Sequence, residues 1–271
     1  MVLSLTQVQA LFGAQASGAS SSGNAAAAIP ALKRVTEAGA EAKGMAQERK
    51  DPVTLTTLAQ FRRALDKADT IEKALSDPRI LQVLMPALGL PDQAANVGMV
   101  RRALLSDPSD PKGVAAQLGS SWKAAAETLG AWEKGLDALR DPAMVQRLSD
   151  AFVKYQYRLG LNEQQPGLAD ALYFLEAAKN AKDVFGVLGD GVIRRVVTGA
   201  LGLPDSMAIQ SVETQGRAVT SRMKLETLQD DRAVRKLAER YLIVAANKAA
   251  ESQAAQASDP MAVITGLSIR A

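Results

Sequence analysis

The feature that most restricts what this chain can fold into is an internal echo. Ala87-Leu88-Gly89-Leu90-Pro91-Asp92 recurs as Ala200-Leu201-Gly202-Leu203-Pro204-Asp205, an offset of 113 residues. The same offset carried backwards aligns Phe61 with Phe174, Ala64 with Ala177, Ala68 with Ala181, Leu75 with Leu188, Asp77 with Asp190 and Ile80 with Ile193. Both stretches read as a long helix, an Asp start, a short helix, a Gly stop and a Leu-Pro-Asp restart. Identical runs containing Gly and Pro predict a structural helix-turn-helix corner rather than a ligand loop. A partial third echo, Ala138 to Pro142 against Ala74 to Pro78, is too short to extend the pattern into a solenoid. Two copies that superpose, with Gly89 and Gly202 at equivalent helix ends, are the expectation.

Apolar spacing names the elements. Leu58, Phe61, Leu65, Ala68, Ile71 and Leu75 step by three and four and therefore share one helix face. The rhythm returns in Trp122, Ala125, Leu129, Trp132, Leu136 and Leu139, and in Val145, Leu148, Phe152, Tyr155 and Leu159. Two further stripes are Ala171, Phe174, Ala178, Ala181, Phe185 and Leu188, and Val234, Leu237 and Tyr241. Five amphipathic helices follow. The richest β-branched run, Val192 to Thr198, contains Arg194 and Arg195 and predicts no strand. Asp77-Pro78, Asp141-Pro142 and Asp259-Pro260 read as helix starts, because the Asp carboxylate accepts from orphan amides and Pro at the first helical position lacks only a hydrogen that would go unused. Gly89, Gly160 and Gly202 read as stops. The Asp141-Pro142 turn should then pack Trp122, Leu129, Trp132 and Leu136 against Val145, Leu148 and Phe152.

The predicted fold class is all-α, a multi-helix bundle built from two similar helical repeats with a flexible N-terminal segment. Residues 1-53 form a partly disordered N-terminal segment, 54-160 repeat 1, 161-245 repeat 2, and 246-271 a C-terminal helix end and tail. Within the first, Gly13 to Ala28 is reduced to small and polar residues plus Ala, a flexible linker, and Pro30 to Lys50 is a partly exposed helix. Leu5, Val8 and Phe12 before the linker, and Met261, Val263 and Ile264 after the Ala-rich Asn247 to Ala257, are apolar residues without a place in the repeated core. They are the candidate partner contacts, since short apolar pieces of this kind can order on a helical partner.

Composition removes most chemistry. The chain has no Cys and no His, so disulfides, zinc sites, thiol nucleophiles, imidazole bases and Ser-His-Asp triads are excluded. Lys and Arg total 32 against 29 Asp and Glu, interleaved along the chain, which argues against a nucleic-acid footprint. No apolar run approaches the ~20 residues of a membrane span, and the first residues lack the pattern of a Sec signal. Ser120-Ser121-Trp122-Lys123 fits a Ser-x-x-Lys nucleophile pattern, but no Lys-Thr-Gly follows and a Ser N-cap explains it better. Gly186 to Gly191 follows a helix rather than a strand and reads as a flexible helix break, not a phosphate loop. The acids of Asp107 to Asp110 lack a twelfth-position Glu, Leu118 standing there, and are rejected as a calcium loop. Arg232, Arg235, Lys236 and Arg240 read as a solvated face opposite Val234, Leu237 and Tyr241. No catalytic residue, cofactor, metal site or small-molecule substrate is assigned, and the chain is expected not to be an enzyme.

A resemblance supplies context. Tyr173-Phe174-Leu175, Asp190, Ala200 to Pro204, Gln60-Phe61, Ala87 to Pro91 and Leu104-Leu105-Ser106-Asp107-Pro108-Ser109-Asp110-Pro111 resemble a family of all-helical domains of unknown function encoded among flagellar genes of alphaproteobacteria. The resemblance covers roughly Leu58 to Leu242 and brings no catalytic residues; Gly191, standing where Pro78 stands in the first copy, departs from the pattern. It implies a structural or assembly role at the flagellum or basal body, with flagellar proteins or further copies of the chain as partners. The alternative is a cytoplasmic adaptor or export chaperone for flagellar proteins. Absent Cys and few aromatics suit a chain passed unfolded through a narrow export channel.

Overall fold

The computed structural model describes residues 25–257, and among them the secondary structure is entirely helical. The N-terminal helices are α1 (Ala25–Val35), α2 (Ala40–Glu48) and α3 (Pro52–Lys67), followed by α4 (Ile71–Ala74) and α5 (Pro78–Ala87). After a 3-10 turn at Pro91–Gln93 come α6 (Val97–Leu104), α7 (Val114–Leu118), α8 (Ser120–Leu129), α9 (Ala131–Lys134) and α10 (Leu136–Arg140). The long α11 (Pro142–Gln164) leads to α12 (Leu168–Ala177), α13 (Val184–Gly189) and α14 (Gly191–Ala200). A 3-10 turn at Asp205–Ile209, α15 (Val212–Thr220) and the longest helix, α16 (Asp231–Ala257), complete it.

Packing divides the chain into two compact units, a first of residues 38–159 and a second of residues 25–37 with 160–257. The repeat division expected from the sequence has its boundaries at 53/54, 160/161 and 245/246. In the first unit α3 packs on α5 and α6 on α7 and α8, around Phe61, Leu75, Ile80, Leu84, Met85, Leu104, Leu129 and Phe152. In the second, α16 receives α1, α12 and α14, with Leu32, Phe174, Val196, Val197 and Leu242 buried. Residues 25–28, expected in the linker, are helical instead: Ala carries the lowest intrinsic helix cost, and Ala28 and Ala31 are small enough to be buried as α1 packs on α16. The single helix expected over Pro30 to Lys50 is two, separated at Gly39, where φ is +79°.

The two stretches at the 113-residue offset carry the same local elements. α4 and α13 both start on a capping side chain, Thr70 accepting from the Lys73 amide and Asp183 from the Gly186 amide. α5 and α14 both start after an Asp that accepts from the amide two residues on, Arg79 for Asp77 and Val192 for Asp190. Both end in one type of corner. The Leu90 amide donates to the Met85 carbonyl at 2.8 Å and the Leu203 amide to the Thr198 carbonyl at 2.9 Å, while Gly89 and Gly202 sit at φ +77° and +64°. That left-handed turn is where Gly has least to lose. The correspondence stops on either side, since α3 runs sixteen residues against ten for α12, and α6 and α15 no longer start at the same offset.

Several stripes are broken where the sequence predicted continuity. Gly130 and Gly135, at φ +64° and +57°, divide the Trp122-to-Leu139 segment into three short helices. The register turns with them, so Ala131 takes the buried place and Trp132, expected in the core, is 41% exposed. Trp122, Leu129, Leu148 and Phe152 do share the core, with Leu136 and Val145 at its margin. Phe185 is 66% exposed because Asp183 restarts the helix and leaves Val187 and Leu188 facing inward. Leu159 is likewise exposed, the buried face of α11 being Leu148, Phe152 and Val153. Gly160 is no stop: α11 runs through it to Gln164, and burial of Leu161 offsets the ~1 kcal/mol that an interior Gly costs. Asp51-Pro52, missed as a start, opens α3, the Asp51 carboxylate accepting from the Val53 and Thr54 amides.

Candidate functional site

The second unit has a half-open pocket of about 320 Å³ walled by α14, the Asp205–Ile209 turn and α15. Arg194, Arg195 and Thr198 line it from α14, Asp205 and Met207 from the turn, and Gln215 from α15. Its position follows from local rules. Asp190 caps α14, accepting from the Val192 and Ile193 amides at 2.9 Å and from the Tyr173 hydroxyl at 2.7 Å, which fixes the start of the helix. The Leu203 corner then reverses the chain. The Gln215 side-chain amide donates to the Gln210 carbonyl at 2.8 Å and the Ala208 carbonyl at 3.3 Å, pinning the turn to α15 as the far wall. Both bonds are made by a side chain that is 7% exposed, where an unmet amide would be costly.

Charges at the rim are held in place. Arg195 Nε lies 3.4 Å from Asp170, whose carboxylate also accepts from the Tyr241 hydroxyl at 2.7 Å. Burial, and next the Asp170 charge, push the Tyr241 hydroxyl well above the ordinary phenol range, so it stays protonated and remains the donor. The Tyr241 ring lies on Gly199, where a Cβ would come within 2.9 Å of it. Lys248 Nζ reaches both Asp205 oxygens, at 2.6 and 2.8 Å. Arg194 is the exception. Its guanidinium donates to the Leu188 carbonyl at 3.3 Å and meets no carboxylate among the described residues.

Residues that the sequence marked are placed elsewhere. Leu5, Val8, Phe12, Met261, Val263 and Ile264 lie outside the described residues, as does Asp259-Pro260. Ser120 and Ser121 do not cap α8; Gly119 occupies that position without a side chain, and the φ of +109° it adopts is one a Ser would resist. Lys123 faces Glu127 at 4.0 Å. The Gly186 to Gly191 segment contains a helix break at Asp190, where two Asp-capped helices meet. Asp107 binds its own loop through the Ser109 amide and hydroxyl, and the described residues contain no cluster of three acids able to hold a metal ion. Arg232, Arg235, Lys236 and Arg240 are exposed on α16 opposite buried Val234, Leu237 and Tyr241. No helix of the described residues is long and apolar enough to cross a membrane. The pocket itself went unread, although the 113-residue offset sets Arg194 against Leu81 and Thr198 against Met85 and so marks where the two stretches differ in chemistry.

A crystal structure of a protein from Agrobacterium tumefaciens is similar to this chain with a TM-score of 0.64 and 21% identity, covering 82% of this chain and 94% of that one. At that identity the likeness speaks to the fold. Comparison with curated proteins finds no match. Every residue lining the pocket falls within residues 92–234, the stretch that matches a family described as "Protein of unknown function (DUF1217)". With more than half its length in that match, the chain belongs to the DUF1217 family.

Proposed function

We propose that this protein is a non-enzymatic structural or assembly component associated with the bacterial flagellum, acting through protein–protein contacts. The observation that carries the contact role is the set of large apolar side chains displayed on ordered elements of the second unit. Phe185 on α13 is 66% exposed, Ile209 at the end of the 3-10 turn 85%, and Val212 at the start of α15 46%. α13 packs directly on α15. Apolar side chains held outward by packed helices rather than by loose loops suit a surface that another protein covers. The flagellar location rests on the sequence resemblance, and the partners in this reading are flagellar proteins or further copies of the chain.

The test is localisation of a tagged protein in sheared flagella and basal bodies, together with motility of a deletion strain. Recovery with these structures supports the reading. Recovery only in the cytoplasmic fraction favours the adaptor or export-chaperone alternative, and normal motility of the deletion strain argues against an essential flagellar role. For the terminal contacts, deletion of residues 1–24 is the appropriate cut, because Ala28 is buried beneath α16 and removing it would damage the second unit.

A further inference from the structure

The pocket lies where the corresponding corner of the first unit buries apolar side chains. At the 113-residue offset Leu81 and Met85, 2% and 0% exposed, fill the space beside the first corner with apolar bulk. Arg194 and Thr198 stand at the same positions of α14, and a cavity of about 320 Å³ lies against them. Two corners with matching caps and matching turns thus differ in what faces the recess, and the polar one carries an arginine that meets no carboxylate among the described residues. We propose that this pocket binds a carboxylate group, with Arg194 as its principal contact.

Three observations give the ligand its chemistry. The pocket's charged residues and their direct ion-pair partners are the cations Arg194, Arg195 and Lys248 and the carboxylates Asp170 and Asp205, leaving one positive charge in excess. A singly charged carboxylate neutralises it, whereas a phosphate dianion would over-compensate it. Arg194 spends one donor on the Leu188 carbonyl, and the rest of its planar fork matches the two oxygens of a carboxylate. Pro204, Met207 and Ala208 supply an apolar side to the recess, which fits a carboxylate carried on an apolar body.

The experiment titrates the purified full-length chain with benzoate, benzamide and inorganic phosphate while following backbone amide resonances. Benzoate should shift residues 191–215 saturably, its neutral isostere benzamide should not, and phosphate should bind more weakly. Arg194→Leu, which installs the residue of the other corner, should keep the helical circular dichroism and weaken benzoate about tenfold or more. Thr198→Met, which fills the cavity without touching a charge, should weaken it as well. A doubly capped alanine pentapeptide with one central glutamate distinguishes the source: tighter binding than benzoate identifies an acidic residue of a partner polypeptide, and weaker binding a free carboxylic acid. Unsaturable shifts, equal binding of benzamide or phosphate, or unchanged affinity in both variants would overturn the proposal. Because the readout is binding to the purified chain, its failure is separate from failure of the flagellar reading.

Discussion

The stretch from Thr70 to Gln93 and the stretch from Asp183 to Ile209 use the same local grammar to different ends. Each places a capped short helix, an Asp-capped second helix, a left-handed Gly and a 3-10 turn in succession. In the first, Asp77 is followed by Pro78 and pairs with the exposed Arg79, and the helix face behind it is filled by Leu81 and Met85. In the second, Asp190 is followed by Gly191 and is tied to Tyr173, Tyr241 lies over Gly199 in place of Pro86, and the face opens into a polar recess. Backbone hydrogen bonds and caps set the path of the chain, while the residues between them decide whether that path encloses core or cavity. A corner is therefore a reusable frame whose chemistry depends on two or three side chains.

The strongest way to break the parallel is at its core. Phe61→Ala and Phe174→Ala, both at fully buried aligned positions, should each cost about 3–5 kcal/mol in denaturant unfolding followed by circular dichroism. A near-neutral effect at one site would show that the alignment does not extend to packing. In the first unit, Trp122→Ala should cost about 3–5 kcal/mol and Trp132→Ala less than about 1 kcal/mol, reversing the expectation that both are core.

The caps sharpen the comparison. Asp190→Ala leaves the Val192 and Ile193 amides and the Tyr173 hydroxyl without their acceptor, so it should destabilise by about 2 kcal/mol against about 1 kcal/mol for Asp77→Ala. Tyr173→Phe should bring the two closer together. Gly89→Ala and Gly202→Ala should cost about 1 kcal/mol each and nearly equally, because the added Cβ meets nothing within 4 Å at either site and only the left-handed backbone is strained. Unequal costs would separate the two corners.

The smallest effect is in pH. Hydrogen bonding from the Arg79 side chain, with help from its amide and that of Ile80, holds the Asp77 carboxyl below the ordinary carboxylate range. A carboxyl depressed in the folded state contributes stability above the unfolded value, and that contribution disappears as pH falls through the folded one. Asp77→Asn, which still caps, should leave the neutral-pH cap nearly intact and flatten the acid limb of the first unit's unfolding, read by Trp fluorescence because both Trp residues lie in that unit.

The sequence by itself determined the helical class, the Asp-started helices at Pro78, Pro142 and Gly191, and the two Gly corners. Each of these is decided within one or two turns of chain: a carboxylate meeting amides two or three residues on, or a residue that needs a positive φ. Only the tertiary structure decided which parts of a stripe are buried. Trp132 and Phe185 keep the helical spacing of their neighbours yet face outward, because breaks at Gly130, Gly135 and Asp183 rotate the register between short helices. It also drew Ala25 to Val35 onto α16, far away in sequence, and opened the pocket around Arg194, whose walls meet through the Gln215 side chain. Periodicity records how residues sit around one helix axis; burial and cavities arise from several axes at once, and no local pattern encodes their mutual placement.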